Sequence, residues 1–196
     1  MSGADEFEAI ARLFRPLTRG APEAFDLLDD AAAIPSRPGH DLVVTKDAMV
    51  EGVHFLPGEP ADLVARKLLR ANLSDLAAKA AEPYGYFLAV SWPATWDGGA
   101  RALFAEGLRQ DGEAFDISLL GGDTTSTPGP MTASVTMLGW VPEGRMLRRA
   151  GAQSGDVVMV SGPIGDGFLD WGSAGGLLEA TAWPGPRRLA NPRLDL

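Results

Sequence analysis

Between residues 131 and 141, apolar Met131, Ala133, Val135 and Met137 alternate with polar Thr132, Ser134 and Thr136. That two-residue period belongs to a strand with one buried face. Apolar and β-branched runs predict further strands at residues 41–45, 84–92 and 117–120, with a brief one at 31–34 halted by Pro35. Residues 49–55 are expected to extend the strand at 41–45 past a glycine kink at Gly52, and the strand at 117–120 to stop in a turn at Gly121-Gly122.

Helical spacing replaces this alternation elsewhere. Phe7, Ile10, Ala11, Leu13 and Phe14 predict a short helix over residues 5–14, closed by Pro16. Leu63, Val64, Leu68, Leu69, Leu76, Ala77 and Ala80 supply the stripe of a longer one between Pro60 and Pro83. On that helix Asn72, Asp75 and Lys79 are spaced to share one face. A further helix is predicted over residues 100–115, and a last strand at 157–161 leads into a glycine-rich turn. Trp183-Pro184-Gly185-Pro186 and Asn191-Pro192 read as linker. Helices falling between strands predict an α+β or α/β sandwich with helices on one face.

Charge and composition narrow the chemistry. The chain has 196 residues, 17 basic against 26 acidic, and a net charge of −9, which argues against a nucleic-acid or acidic-membrane surface. With no cysteine, thiolate zinc sites, iron–sulfur clusters and thiol catalysis are excluded. The N-terminus has an acidic opening and no apolar leader, so a cytoplasmic location is expected. There is no G-x-x-x-x-G-K-[ST] loop, and Gly162 to Gly167 misses the dinucleotide spacing.

Four segments carry carboxylates beside predicted elements: Asp29-Asp30, Thr45-Lys46-Asp47, Asn72-Leu73-Ser74-Asp75 and Gly121-Gly122-Asp123. Magnesium takes oxygen ligands from several loops, and Asp30, Asp47, Asp75 and Asp123, with Thr45 as a hydroxyl donor, fit that demand in type. Each also has an ordinary reading as a turn residue, cap or solvated face. His54 is a candidate phosphate donor or a packed strand-end histidine, and Arg148-Arg149 a phosphate clamp or a surface pair.

In order, Asp29-Asp30-Ala31-Ala32, Val50-Glu51-Gly52-Val53-His54-Phe55, Asn72-Leu73-Ser74-Asp75-Leu76-Ala77-Ala78, Gly121-Gly122-Asp123-Thr124 and Arg149-Ala150-Gly151 resemble the thiamine-monophosphate kinase family. That family lies in the aminoimidazole ribonucleotide synthetase superfamily. The resemblance implies an α+β fold with a mixed, mostly antiparallel sheet, helices on one face, and sheet pairing across a homodimer. It implies ATP-dependent phosphorylation of thiamine monophosphate to thiamine diphosphate, with several magnesium ions held by Asp30, Thr45, Lys46 through its backbone, Asp47, Asp75 and Asp123. His54 is then a substrate contact, and Gly122, Asp123 and Arg149 are ATP contacts. Lys46 stands where the family commonly has a small hydroxyl residue, and Ala105 where some relatives place a nucleotide-contacting aromatic ring. Residues 1–165 are expected to form the ATP- and magnesium-binding N-terminal domain, and 166–196 a helix and linker toward a second domain not in this chain. A related ATP-using synthetase and a non-catalytic dimerisation or metal-binding fragment are the alternative readings.

Overall fold

The alternating segment near residue 131 becomes an interior strand of a sheet. A computed structural model describes residues 7–159. Its strands are β1 (His40–Val50), β2 (Glu82–Trp92), β3 (Ser118–Ser126) and β4 (Thr132–Pro142), and its long helices are α1 (Ala61–Ala77) and α2 (Gly98–Ala114). Strand order is β1-β4-β2-β3. β4 runs antiparallel to both neighbours, whereas β2 and β3 are parallel. A parallel pair cannot close through a hairpin, and α2 supplies the crossover that it requires.

Residues paired across a ladder share a face, so the register sorts the sheet into two sides. Ala133, Val135 and Met137 of β4 join Met49 of β1 and Tyr86, Leu88 and Val90 of β2 beneath the helices. The helices bury Val64, Leu68, Leu69, Leu73 and Leu76 from α1 and Phe104 and Leu108 from α2 on that side. The opposite face carries Leu42, Val44 and Lys46 of β1, and Leu42 and Val44 are exposed. The result is the mixed, mostly antiparallel sheet with one helical face that the sequence pattern and the resemblance led us to expect. Among the described residues no helix is long and apolar enough to cross a membrane.

The two helices touch closely because Gly107 has no side chain; a Cβ there would collide with the backbone of Asp62. Next to this contact lies a buried ion pair. Asp111 on α2 accepts from Arg70 Nε at 2.6 Å and Nη2 at 2.9 Å, and from Arg66 Nε at 3.3 Å. The Arg70 guanidinium also lies over the Phe115 ring, 5.7 Å from its centroid. Such a pair fixes how α1 and α2 register, because neither charge has water to fall back on.

Several local expectations change. Residues 31–34 form no strand: the Ala33 N–H donates to the Glu23 carbonyl, and the β3 edge stays unpaired among the described residues. Residues 51–54 turn back instead of extending β1: Gly52 donates to the Phe55 carbonyl, and Val53 and His54 donate to that of Val50. α1 ends at Ala77, so Lys79 is not on it, and Asn72 is buried while Asp75 is exposed; the three do not share a face. Pro16 does not close the first helix; residues 7–9 pass into a π turn, Ile10–Phe14, and 3-10 turns at Arg15–Thr18 and Pro22–Leu27. Residues 157–159 are exposed and unpaired among the described residues. The remainder of that expected strand, the glycine-rich turn after it and the 165/166 boundary lie outside the described residues.

Arg70→Met should lower stability by about 3 kcal/mol or more, read from the urea midpoint, because Asp111 keeps its burial and loses its main partner. Adding Asp111→Leu to that variant should recover most of the loss.

Candidate functional site

Thr45 and Asp47 alternate with Lys46 along β1, so they face the helical side with Val43 and Met49 while Lys46 faces the other. The Lys46 ammonium lies near the Thr136 hydroxyl, 3.4 Å away, which leaves only its backbone to the side that Thr45 and Asp47 occupy. α1 passes over this edge of the sheet and presents Asp75. Thr45 Oγ1 donates to Asp75 Oδ2 at 2.7 Å. Asp47 lies close enough to feel Asp75: its carboxyl is pushed above the usual carboxylate range, first by burial, then by the Asp75 charge, with His54 opposing.

His54 is held by the turn that follows β1. Its Nδ1 accepts the Val50 backbone N–H at 3.1 Å, and its carbonyl accepts from Lys67 Nζ on α1. Gly52, at φ 81°, makes the turn possible. Phe55 anchors it, buried edge-on against Trp96 with ring centroids 6.4 Å apart. Asn72 lies buried in the same motif as Asp75, its Nδ2 donating to the Leu68 carbonyl and its Oδ1 without a protein partner.

Gly122 and Asp123 lie at the other end of the sheet. The expected glycine turn is absent; β3 runs through Gly121 and Gly122 to Ser126, with a bulge where Phe87 pairs with Gly121. The glycines serve close approach instead, since a Cβ on Gly122 would run into the Leu88 carbonyl. Facing them is the segment after Pro22–Leu27. Phe25, Asp26 and Leu27 all have positive φ, at 47°, 56° and 56°, and this strained turn presents Leu28, Asp29 and Asp30. The Asp30 N–H donates to Asp29 Oδ1 at 2.8 Å. Between segment and strand lies a cleft of about 490 Å³, lined by Asp29, Asp30, Gly121, Gly122 and Asp123 and by the apolar side chains of Phe7, Ile10, Phe14, Leu27 and Leu28.

The candidate residues therefore fall into two sets. Thr45, Asp47, Asp75 and His54 gather at the β1 edge, and Asp30, Gly122 and Asp123 at the β3 edge. Two strands intervene, and three strand spacings amount to about 14 Å. Among the described residues no group of three or more His, Asp and Glu is close enough to hold a metal ion. The six-residue magnesium set is thus not assembled within one chain. Arg149 is exposed beyond β4 and does not line the cleft. Sequence reasoning missed the apolar wall of the cleft, because Phe7, Ile10 and Phe14 read as one stripe of a core helix. The exposure of Phe7 and Leu28 departs from that reading.

Comparison with known proteins bears on the fold and the family. The family model "AIR synthase related protein, N-terminal domain" matches residues 28–141. The thiamine-monophosphate kinase of Caulobacter vibrioides is 63% identical over 190 residues, covering 93% of this chain and 54% of that protein. The crystal structure of thiamine-monophosphate kinase from Stenotrophomonas maltophilia K279a superposes with a TM-score of 0.78 at 36% identity, over 94% of this chain and 59% of that one. AaThiL complexed with AMPPCP and TMP superposes with a TM-score of 0.71 at 25% identity, over 81% of this chain and 51% of that one. The chain spans about half the length of the curated relatives it matches. By the match over residues 28–141 it belongs to the AIR synthase related family, with that family's N-terminal domain.

Proposed function

We propose that this chain is the ATP- and magnesium-binding half of a thiamine-monophosphate kinase, which transfers the ATP γ-phosphoryl group to thiamine monophosphate and yields thiamine diphosphate. Similarity to proteins of that name and to a relative complexed with AMPPCP and TMP supports the reading. The observation that carries it is the trio at the β1 edge. Thr45 and Asp75 are hydrogen-bonded, and Asp47 is driven toward protonation by burial and by its neighbour's charge. Oxygen donors held together against their own repulsion suit a hard divalent cation.

Magnesium, when bound, would offset the repulsion between the triphosphate and the acceptor phosphate. The roles of the chain's own groups follow. Asp47, Asp75, the Thr45 hydroxyl and the Lys46 carbonyl hold cations at one edge, and Asp30 and Asp123 hold them at the other. The Gly122 backbone, Asp123 and Arg149 contact ATP, and His54 contacts the substrate phosphate. No protein nucleophile is needed, because the attacking phosphate oxygen is already ionised. The edges are brought into one site by a homodimer in which the open sheet faces pack together, covering Leu42 and Val44. Three tests bear on this reading.

For the metal, the sign of the Asp47 effect is decisive. Its carboxyl sits above the ordinary 3.8, so the folded state favours the protonated form, and stability falls as pH rises from 3.8 through the raised value. Without divalent cations, Asp47→Asn should raise Tm at pH 7, and the gain should fade as pH approaches 3.8. Added Mg²⁺ should raise the Tm of the wild type and leave that of the variant nearly unmoved.

Catalysis is tested by supplying the chain with the C-terminal half of the Caulobacter vibrioides relative and following ATP-dependent formation of thiamine diphosphate. Asp75→Ala should reduce kcat by at least about a hundredfold, in the range seen when transition-state charge stabilisation is lost. A pair that forms no product would sink the kinase assignment. For the dimer, sedimentation should give a two-chain species that Val44→Glu converts to a folded monomer; a wild-type monomer at high concentration counts against the paired sheet.

A further inference from the structure

α1 is clasped to β1 and the turn that follows it at two points. Near its end Asp75 accepts the Thr45 hydroxyl, and eight residues earlier, about 12 Å along the axis, Lys67 donates to the His54 carbonyl. We propose that Lys67 is a positioning residue for His54, its ammonium fixing the turn so that the imidazole stays aimed at the acceptor phosphate. This assignment rests on the reading of His54 as a contact of the substrate phosphate.

The turn needs support from outside itself. Gly52, Val53 and His54 are exposed, and the bonds among residues 50–55 are local: Val53 and His54 donate to the Val50 carbonyl, Gly52 to that of Phe55, and the Val50 N–H to His54 Nδ1. Local bonds set the shape of a turn but not its attitude to neighbouring elements. Its two ends are anchored. Glu51 exchanges hydrogen bonds with the Met131 backbone, through its own N–H and through Oε2, and Phe55 is buried against Trp96. Between these anchors the exposed stretch is met from α1 by Lys67. A charged donor on a carbonyl makes a stronger bond than a neutral one, which suits a single tie on an exposed segment.

The neighbouring cations of α1 are used differently. Arg66 and Arg70 reach Asp111 on α2, whereas Lys67 reaches the turn after β1 and forms no ion pair among the described residues. α1 is itself held against α2 by that buried pair and by the close approach at Gly107. One rigid helix thus carries Asp75 at one clasp and Lys67 at the other, and it sets the distance between the carboxylate edge and the imidazole. That distance matters to phosphoryl transfer, where a misplacement of about 1 Å can cost on the order of a hundredfold in rate.

Amide order parameters of the 196-residue chain read the clasp directly. Lys67→Met keeps the apolar stem and removes the donor. In that variant the values for Val53 and His54 should fall from about 0.85 to below about 0.6, the flexible range, and Lys67→Arg should restore them. Unchanged values in Lys67→Met would overturn the proposal. Lys79→Met, which removes an equal charge just past α1, is the control and should leave the turn as it is. With the C-terminal half of the Caulobacter vibrioides relative supplied, Lys67→Met should raise KM for thiamine monophosphate at least about tenfold and leave KM for ATP within about twofold, and Lys67→Arg should recover most of the loss. Equal losses for both substrates would count against a role through His54. In a His54→Ala background, Lys67→Met should cost nothing further; losses that multiply would mean that Lys67 acts on the phosphate itself, and would overturn positioning. A wild-type pair that forms no product removes the kinase reading, while the order parameters still decide whether Lys67 holds the turn. Circular dichroism matching the wild type excludes unfolding as the cause of any change.

Discussion

Burial of the sheet on one side only is the constraint from which the rest of this chain follows. α1 and α2 press on each other and on a single face of four strands, through the Gly107 contact and the Arg70–Asp111 pair. Every apolar position under the helices is then committed to packing. Polar side chains on that side survive only where the helical cover ends, as Thr45 and Asp47 do on the edge strand β1. The helices thereby decide where chemistry is possible: at the margins of the sheet.

The two margins are built differently. At β1, precision comes from side chains locked by hydrogen bonds, a long-range one from Thr45 to Asp75 and one within the turn from the Val50 N–H to His54. At β3, it comes from missing side chains and a strained backbone, with Gly121 and Gly122 opposite the Phe25–Leu27 stretch. A rigid scaffold with function at its edges is a common arrangement, since loops and edge strands keep the polar groups that a core cannot hold.

Elements with a strong local period were legible. β4 shows its alternation directly, and α1 and α2 show their stripes, because each signal is complete within one stretch of sequence. What failed depended on partners far along the chain. The run at 31–34 has strand-like residues, but the Ala33 N–H donates to the Glu23 carbonyl and not to the β3 edge beside it. Gly121-Gly122 reads equally as a turn or as a place where backbones approach, and only the neighbouring Leu88 carbonyl decides. The end of α1 was misjudged because Ala77, Ala78 and Ala80 are all good helix formers; the chain leaves the helix there to enter β2, with Ala80 at φ 55°. The carboxylates were recognisable by type and motif. Their division between two edges was not, because strand order is written in no single segment.

The short turn after β1 also determines where a proton resides. A nitrogen that accepts a backbone N–H must offer its lone pair, so the Val50 contact keeps His54 Nδ1 bare and assigns the hydrogen of the neutral ring to Nε2. In that neutral form the imidazole turns a donor outward. Main-chain geometry at a single turn thus selects one tautomer, and a ring that could act in several ways is left with one.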